Sequence, residues 1–355
     1  MRNKIIEEDL ARIVEGSNLP WSELEGKTAL ISGASGVLPA YMVETLLYLN
    51  EKSGRAKTKV IGLVRNKERA LARFAHYKNR DDLELLVQDV CDVVSLDKET
   101  KIDYIIHAAS RTSPKHYGKD PVGTLSPNVL GTHNLLSLAR SKKAENFLFF
   151  SSGSVYGQMH PSQIPSREDS GGYVDSMDAG SCYTESKRMG ETMCVSWFHQ
   201  YGVPTKIVRP FHTYGPGMRF DDGRVFADFV ADIVHSRDII VKSDGGTIRT
   251  FCYISDAVAG FFTVLFKGEI GEAYNVGNDR TEISIGGLAE VLATLFPEKR
   301  LEVKVEGRNA NAGYLESPVK RKCPDISKIR GLGWEPEVSL EQGFLRTVRS
   351  YCGPS

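Results

Sequence analysis

The stretch Thr28-Ala29-Leu30-Ile31-Ser32-Gly33-Ala34-Ser35-Gly36-Val37-Leu38-Pro39-Ala40, continued by Tyr41-Met42-Val43-Glu44-Thr45-Leu46-Leu47, decides the fold of this 355-residue chain. Thr28 to Ile31 reads as a buried strand, and the residues from Tyr41 onward read as a helix. Gly33 and Gly36 stand between them. Strand, glycine turn and helix in that order form the dinucleotide-binding arrangement. The glycines let the backbone approach a pyrophosphate, and free amides at the helix start hold its charge. A third glycine is expected where Pro39 stands. Proline is tolerated in a first helical turn, so the helix still starts, with a different fit against the sheet.

Further strands follow at the spacing of an alternating α/β chain. Lys59 to Val64 is the second, ending at Arg65-Asn66. An acid at that point would hydrogen-bond the adenosine ribose of NAD, whereas an arginine accommodates the extra phosphate of NADP or stacks on adenine. The residues thus leave NAD and NADP both open. Leu83 to Val87 form a third strand leading to Asp89 and Val90, where adenine is usually touched. Ile102 to Ile106 form a fourth, ending in His107-Ala108-Ala109-Ser110, whose small side chains leave room for a cofactor. Helices such as the one around Val129 to Ala139 alternate with them. The pattern predicts a Rossmann-type doubly wound parallel sheet with its ligand at the carboxyl edge, and a smaller C-terminal α/β substrate-binding domain. Residues 1–26 are expected to be a helical extension, with Ile6, Leu10, Ile13 and Val14 on one face and Pro20 ending it. Residues 27–210 would form mainly the dinucleotide-binding domain and 211–355 mainly the substrate domain, with the chain crossing between the two.

Forty-five basic residues balance forty-five acidic ones, so net charge favours neither nucleic acid nor an anionic membrane. No apolar run reaches the roughly 20 residues of a membrane span. The six cysteines are scattered without a Cys-x-x-Cys pair and without a secretory signal, which predicts reduced thiols in a cytoplasmic protein. No histidine pair has ligand spacing, so no metal site is expected.

The chemistry concentrates between Ser151 and Lys187. An apolar strand, Asn146 to Phe150, runs into Ser151-Ser152-Gly153-Ser154-Val155-Tyr156-Gly157, and Tyr183-Thr184-Glu185-Ser186-Lys187 follows on a helix. Four residues apart, Tyr183 and Lys187 project from one face, so an ammonium near the phenol would favour its phenolate. Such a tyrosine moves a proton near neutral pH, and the hydroxyls of Ser152 and Ser154 would hold the same substrate oxygen. These are the parts needed to oxidise an alcohol. Downstream, Arg219, Arg224 and Arg249 lie in loops around a helix from Val225 to Val234, where they suit a diphosphate.

Together these residues resemble the extended short-chain dehydrogenases, the NAD-dependent nucleotide-sugar epimerase, dehydratase and decarboxylase family, over residues 27 to 350. The resemblance implies a cofactor site of Gly33, Ser35, Gly36, Val37, Leu38, Ala108, Ala109, Ser110, Asn128 and Pro210. It implies a catalytic set of Ser152, Tyr183 and Lys187, with Ser154 beside them. Arg249, in Arg249-Thr250-Phe251-Cys252-Tyr253, matches the arginine that grips the sugar diphosphate. Ser113, Tyr117 and Asp222-Gly223-Arg224-Val225 are similar to the substrate loops of the family's UDP-glucuronate decarboxylases. Two departures stand out: no carboxylate follows Ser152, and His212 takes the place of an asparagine near the diphosphate. The implied substrate is a nucleotide sugar, UDP-linked, oxidised transiently at C4. Four-epimerisation is the leading expectation and UDP-glucuronate decarboxylation the alternative. Further alternatives are a 4-dehydrogenase or 4-ketoreductase and a dinucleotide-binding protein without catalysis. The resemblance also implies a homodimer formed through the Tyr183 helix and its predecessor.

Overall fold

Seven short strands lie side by side and parallel, and all but the part-exposed edge strand Leu83–Val87 are largely buried because helices cover both faces of the sheet. The computed structural model describes residues 3–54, 56–306 and 319–352. The strands are β1 (Thr28–Ser32), β2 (Lys59–Val64), β3 (Leu83–Val87), β4 (Tyr104–His107), β5 (Asn146–Phe150), β6 (Thr205–Pro210) and, last in the chain, Ala273–Val276. Across the sheet they run Ala273–Val276, β6, β5, β4, β1, β2, β3. The order reverses between β1 and β4, which opens a crevice at their carboxyl ends where ligands of such sheets bind.

Alternate residues of each strand face opposite helical layers. Leu30, Ile105, Phe147 and Phe149 pack with Leu135, Leu136 and Cys194, which belong to helices α4 (Pro121–Lys142) and α5 (Cys182–Tyr201). Ala29, Ile31, Ile106 and Phe150 face the other side. There α1 (Lys4–Gly16), α2 (Val37–Ser53) and α7 (Ile254–Lys267) pack together, and α3 (Lys67–Arg73) and α6 (Val225–Val234) complete the larger helices of the site region. Phe150 meets Phe261 of α7 edge to face, ring centroids 4.6 Å apart.

Three elements differ from expectation. α1 ends at Gly16, with Ser17 as its cap, before Pro20 is reached. β4 begins at Tyr104 and includes His107; Asp103, just before it, accepts the Thr28 amide at 2.9 Å and fixes the register against β1. α4 is 22 residues long rather than a helix around 129–139. Asp120 caps it by accepting the Gly123 amide at 2.9 Å, and Pro121 occupies the first helical position, where a missing N–H costs nothing. Pro127 then lies inside the helix, a placement that propensity alone argues against.

The N-terminal helix is joined to the body through a buried carboxylate. Asp9 accepts from the Tyr41 hydroxyl at 3.1 Å, the Tyr253 hydroxyl at 2.8 Å and the Arg346 guanidinium at 2.8 Å. Three distant segments therefore meet on one side chain of α1.

Candidate active site

The carboxyl ends of β1, β2 and β4 form a groove. Gly33 turns the chain with φ of 67°, and a Cβ there would lie 2.8 Å from the Ala109 backbone. Only glycine lets β1 and β4 approach so closely. Gly36 caps α2 through its backbone alone, with no side chain over the helix start and no acid in the first turn. The amides there remain available to an anion. Pro39 sits in that first turn, buried, and its ring would be 3.2 Å from a Cβ on Gly36.

Ser32 organises the β4 side. Its Oγ accepts the amides of Ala108 and Ala109, both at 3.1 Å, so its proton goes to His107 Nδ1 at 2.8 Å. Nε2 of His107 then carries the ring's one N–H, buried and without a hydrogen-bond partner among the described residues. Burial, followed by the nearby Lys187 charge, pushes this imidazole down to about 3. Farther along the groove, Ser110 Oγ and Asn128 Oδ1 are buried with no partner among the described residues, while Asn128 Nδ2 donates to Ser186 Oγ at 3.0 Å. Val90 is buried against Gly131. At the far end Arg65 faces Asp89 at 3.5 Å.

The end of β5 brings Ser152 to Tyr183. Ser152 is extended, its Oγ accepts the Ser154 amide at 3.1 Å, and it hydrogen-bonds Tyr183. Gly153 and Ser154 start a 3₁₀ turn in which Gly153 presses on the Phe211 ring. Lys187 is buried, donates to the Phe150 carbonyl at 2.6 Å, and has Nζ 5.9 Å from the Tyr183 ring centroid. Burial pulls this amine down to about 7, with the Glu191 carboxylate opposing. Burial also pushes the Tyr183 phenol up; the Ser152 hydrogen bond and the Arg224 charge pull it back. A charge from a different segment, Arg224, therefore also acts on the phenol.

Above Tyr183 two loops close on each other. Tyr117 stacks on its ring at 5.0 Å and 10°. Ser113 Oγ donates to the Asp222 carbonyl at 2.5 Å, and Lys115 Nζ to that of Asp221 at 3.2 Å. Arg219 pairs with Asp221, and Arg224 with Asp222 at 2.8 Å, just before Val225 opens α6. Pro210 ends β6, and His212 follows it, with Nδ1 buried and unpartnered among the described residues. Burial holds His212 neutral, helped by the charges of Arg249, Lys322 and Arg224. Arg249 is buried and donates to the backbone carbonyls of Ile248 and Val319, each at 2.8 Å.

Lys322 was not singled out by the sequence. It pairs in parallel register with Arg249, and burial, then that guanidinium, pulls its amine down to about 7. Its strand, Arg321–Lys322, is too short to carry an alternating pattern. The run Lys320-Arg321-Lys322 was the one visible signal.

A doubly wound sheet with an open glycine turn, and a Ser-Tyr-Lys cluster beside it, defines a dinucleotide-binding protein of the α/β class. The profile of the NAD dependent epimerase/dehydratase family matches residues 29–277. UDP-glucuronic acid decarboxylase 1 of Arabidopsis thaliana is 34% identical over 324 residues, covering 91% of this chain and 69% of that protein. UDP-glucuronic acid decarboxylase 1 of Xenopus tropicalis is 32% identical over 335 residues, 93% of this chain and 73% of the other. Among solved structures, UDP-glucuronic acid 4-epimerase from Bacillus cereus, in complex with UDP-glucuronic acid and NAD, superposes with a TM-score of 0.73. It is 22% identical, over 91% of this chain and 98% of that one, and so shares the fold.

The chain belongs to the NAD dependent epimerase/dehydratase family and is an NAD-dependent nucleotide-sugar enzyme. Its groove fits that cofactor: the α2 start is uncapped by any side chain, and the buried Ser110 and Asn128 oxygens await partners. No helix among the described residues is long and apolar enough to cross a membrane.

Proposed function

We propose that this enzyme oxidises a UDP-linked sugar at C4, retains the 4-keto sugar and reduces it on its opposite face, completing a 4-epimerisation. The observation that carries the reading is the Ser152–Tyr183–Lys187 cluster beside an edge without a carboxylate. Tyr183 takes the proton of the sugar 4-hydroxyl, Ser152 holds O4 with Ser154 next to it, and Lys187 binds the nicotinamide ribose. NAD, when bound, takes up the hydride and returns it. The cofactor would lie along Gly33, Ser35, Gly36, Val37 and Leu38, with adenosine toward Arg65, Asp89 and Val90. Ala108, Ala109, Ser110, Asn128 and Pro210 would border its nicotinamide half. Arg219, Arg224, Val225, His212 and Arg249 would receive the diphosphate and sugar under Ser113 and Tyr117. Expelling water from C6 requires an acid and a base near C5 and C6. Gly153 and Ser154 supply neither, and the small Ser154 side chain leaves the keto sugar room to turn.

Decarboxylation of UDP-glucuronate is the second reading, supported by relatives about one-third identical over nine-tenths of the chain that carry this activity in their names. Oxidation at C4 makes a uronate a β-keto acid, which loses carbon dioxide with little further help. Ser154 in place of a carboxylate therefore does not block it.

A proton NMR time course with UDP-glucuronate and catalytic NAD separates the two. An intact uronate with altered H4 couplings is the expected outcome; a pentose product transfers the assignment to decarboxylation, and an unchanged spectrum removes uronates from both readings. Tyr183→Phe should cut turnover by about 10²–10⁴ while cofactor affinity holds. The same reading extends to a homodimer through α4 and α5, supported by the exposed Leu130, Met189, Val195 and Phe198. Six free cysteines favour a reducing, cytoplasmic setting.

A further inference from the structure

One of the two loops over Tyr183 is fastened from the far end of the chain. Residues 215–224 run from the short strand Thr213–Tyr214 to the start of α6 and carry Arg219, Asp221, Asp222 and Arg224. A left-handed glycine stands toward each end, Gly217 with φ of 80° and Gly223 with φ of 86°, a conformation that side chains other than glycine's rarely adopt. At the Gly223 end the loop meets its neighbour: a Cβ there would touch the Lys115 side chain, and the carbonyls of Asp221 and Asp222 accept from Lys115 and Ser113.

The Gly217 end is held by other segments. Met218 is buried, and its carbonyl accepts the Tyr351 hydroxyl at 2.5 Å. Tyr351 lies just past the C-terminal helix Leu340–Arg349. Its ring packs on Phe220 with centroids 4.7 Å apart, and Phe220 meets His235, at the end of α6, at 5.6 Å. Arg73 of α3 presses on the same point, since a Cβ on Gly217 would lie 2.6 Å from its Nη1, while its Nη2 is tied to the buried Glu44 at 2.7 Å. Burial pushes the Tyr351 phenol up, so its hydroxyl remains a donor.

We propose that Tyr351 is a positioning residue for the nucleotide sugar, its hydroxyl and ring holding residues 217–224 in place so that Arg219 and Arg224 are gathered before the ligand arrives. The inference rests on the reading that those two arginines receive the diphosphate. A loop already in its binding arrangement spares the ligand the cost of ordering it. Loosening it lowers the competent fraction of molecules and weakens binding in proportion.

Hydrogen exchange read by mass spectrometry on the ligand-free full chain, together with calorimetric titration of UDP and of NADH, tests the proposal without any sugar turning over. Tyr351→Phe removes the hydroxyl and keeps the ring; Tyr351→Ala removes both. Peptides spanning 217–224 should exchange at least about threefold faster in Tyr351→Phe and faster still in Tyr351→Ala, while peptides of β1 and β4 keep wild-type rates. UDP affinity should fall about two- to tenfold in Tyr351→Phe, the worth of a neutral hydrogen bond, and further in Tyr351→Ala, with NADH affinity held within about twofold. Wild-type exchange across 217–224 in both variants overturns the proposal. So does a loosened loop that leaves UDP affinity unchanged, or a general rise in exchange that weakens UDP and NADH alike, which is what a merely structural role would produce. A wild-type chain that binds NADH and no UDP refutes the uridine reading, and the loop exchange rates then decide alone whether Tyr351 holds the loop.

Discussion

At the scale of single residues, Tyr183 feels a charge from outside its own helix. Burial raises the phenol, and Ser152 and Arg224 oppose it. Removing Arg224 leaves burial less opposed, so the Tyr183 pKa rises. A tyrosine that must be deprotonated to take a proton then becomes competent only at higher pH. Arg224→Ala is therefore expected to move the rising limb of the kcat–pH profile to higher pH, measured at saturating substrate so that weakened binding does not enter. An unmoved limb would assign Arg224 to diphosphate binding alone. Tyr183 and Lys187 were legible in the sequence because a helix forces residues four apart onto one face, and Ser152 because it follows an apolar strand. Arg224 was legible only as a loop arginine, because its effect on Tyr183 arises from tertiary packing that no local spacing records.

Among elements, α5 is positioned by the absence of a side chain. A Cβ on Gly190 would overlap the Phe149 ring of β5, and that contact sets how near Tyr183 and Lys187 come to Ser152. Gly190→Ala gains up to about 1 kcal/mol of helix propensity, but overpacking a rigid core contact costs about 1–3 kcal/mol. The second effect should win. Chemical denaturation is expected to show net destabilisation of up to about 2 kcal/mol, with reduced activity. The order of the strands across the sheet comes from long-range pairing, whereas the strands from Thr28 to Phe150 and the doubly wound parallel class followed from apolar runs and glycine turns, which are local signals. The true length of α4 did not, since Asp120 and Pro121 mark its start while Pro127 argues against continuing it. Lys322 escaped for a related reason: its two-residue strand gains meaning only by pairing with Arg249.

For the whole molecule, acid acts through buried neutral histidines, one of which lies in the sheet. His107 titrates at about 3 in the folded chain, below the ordinary 6.5 of an unfolded one. Between these values the unfolded state binds more protons, so this residue's contribution to stability is intact above pH 6.5 and is lost as pH falls toward 3. The slope from one such group is at most about 1.4 kcal/mol per pH unit. His107→Gln should flatten the stability–pH curve in that window relative to wild type, as read by denaturant midpoints; parallel curves would show that His107 does not carry the effect. The buried Asp9 has a different consequence, in time rather than energy. Its Arg346 partner lies 337 positions along the chain, so during synthesis α1 is made well before that partner exists. Until then Asp9 has only Tyr41, 32 positions on, as an early partner, so α1 can dock on α2 yet is locked in place only when Tyr253 and Arg346 arrive.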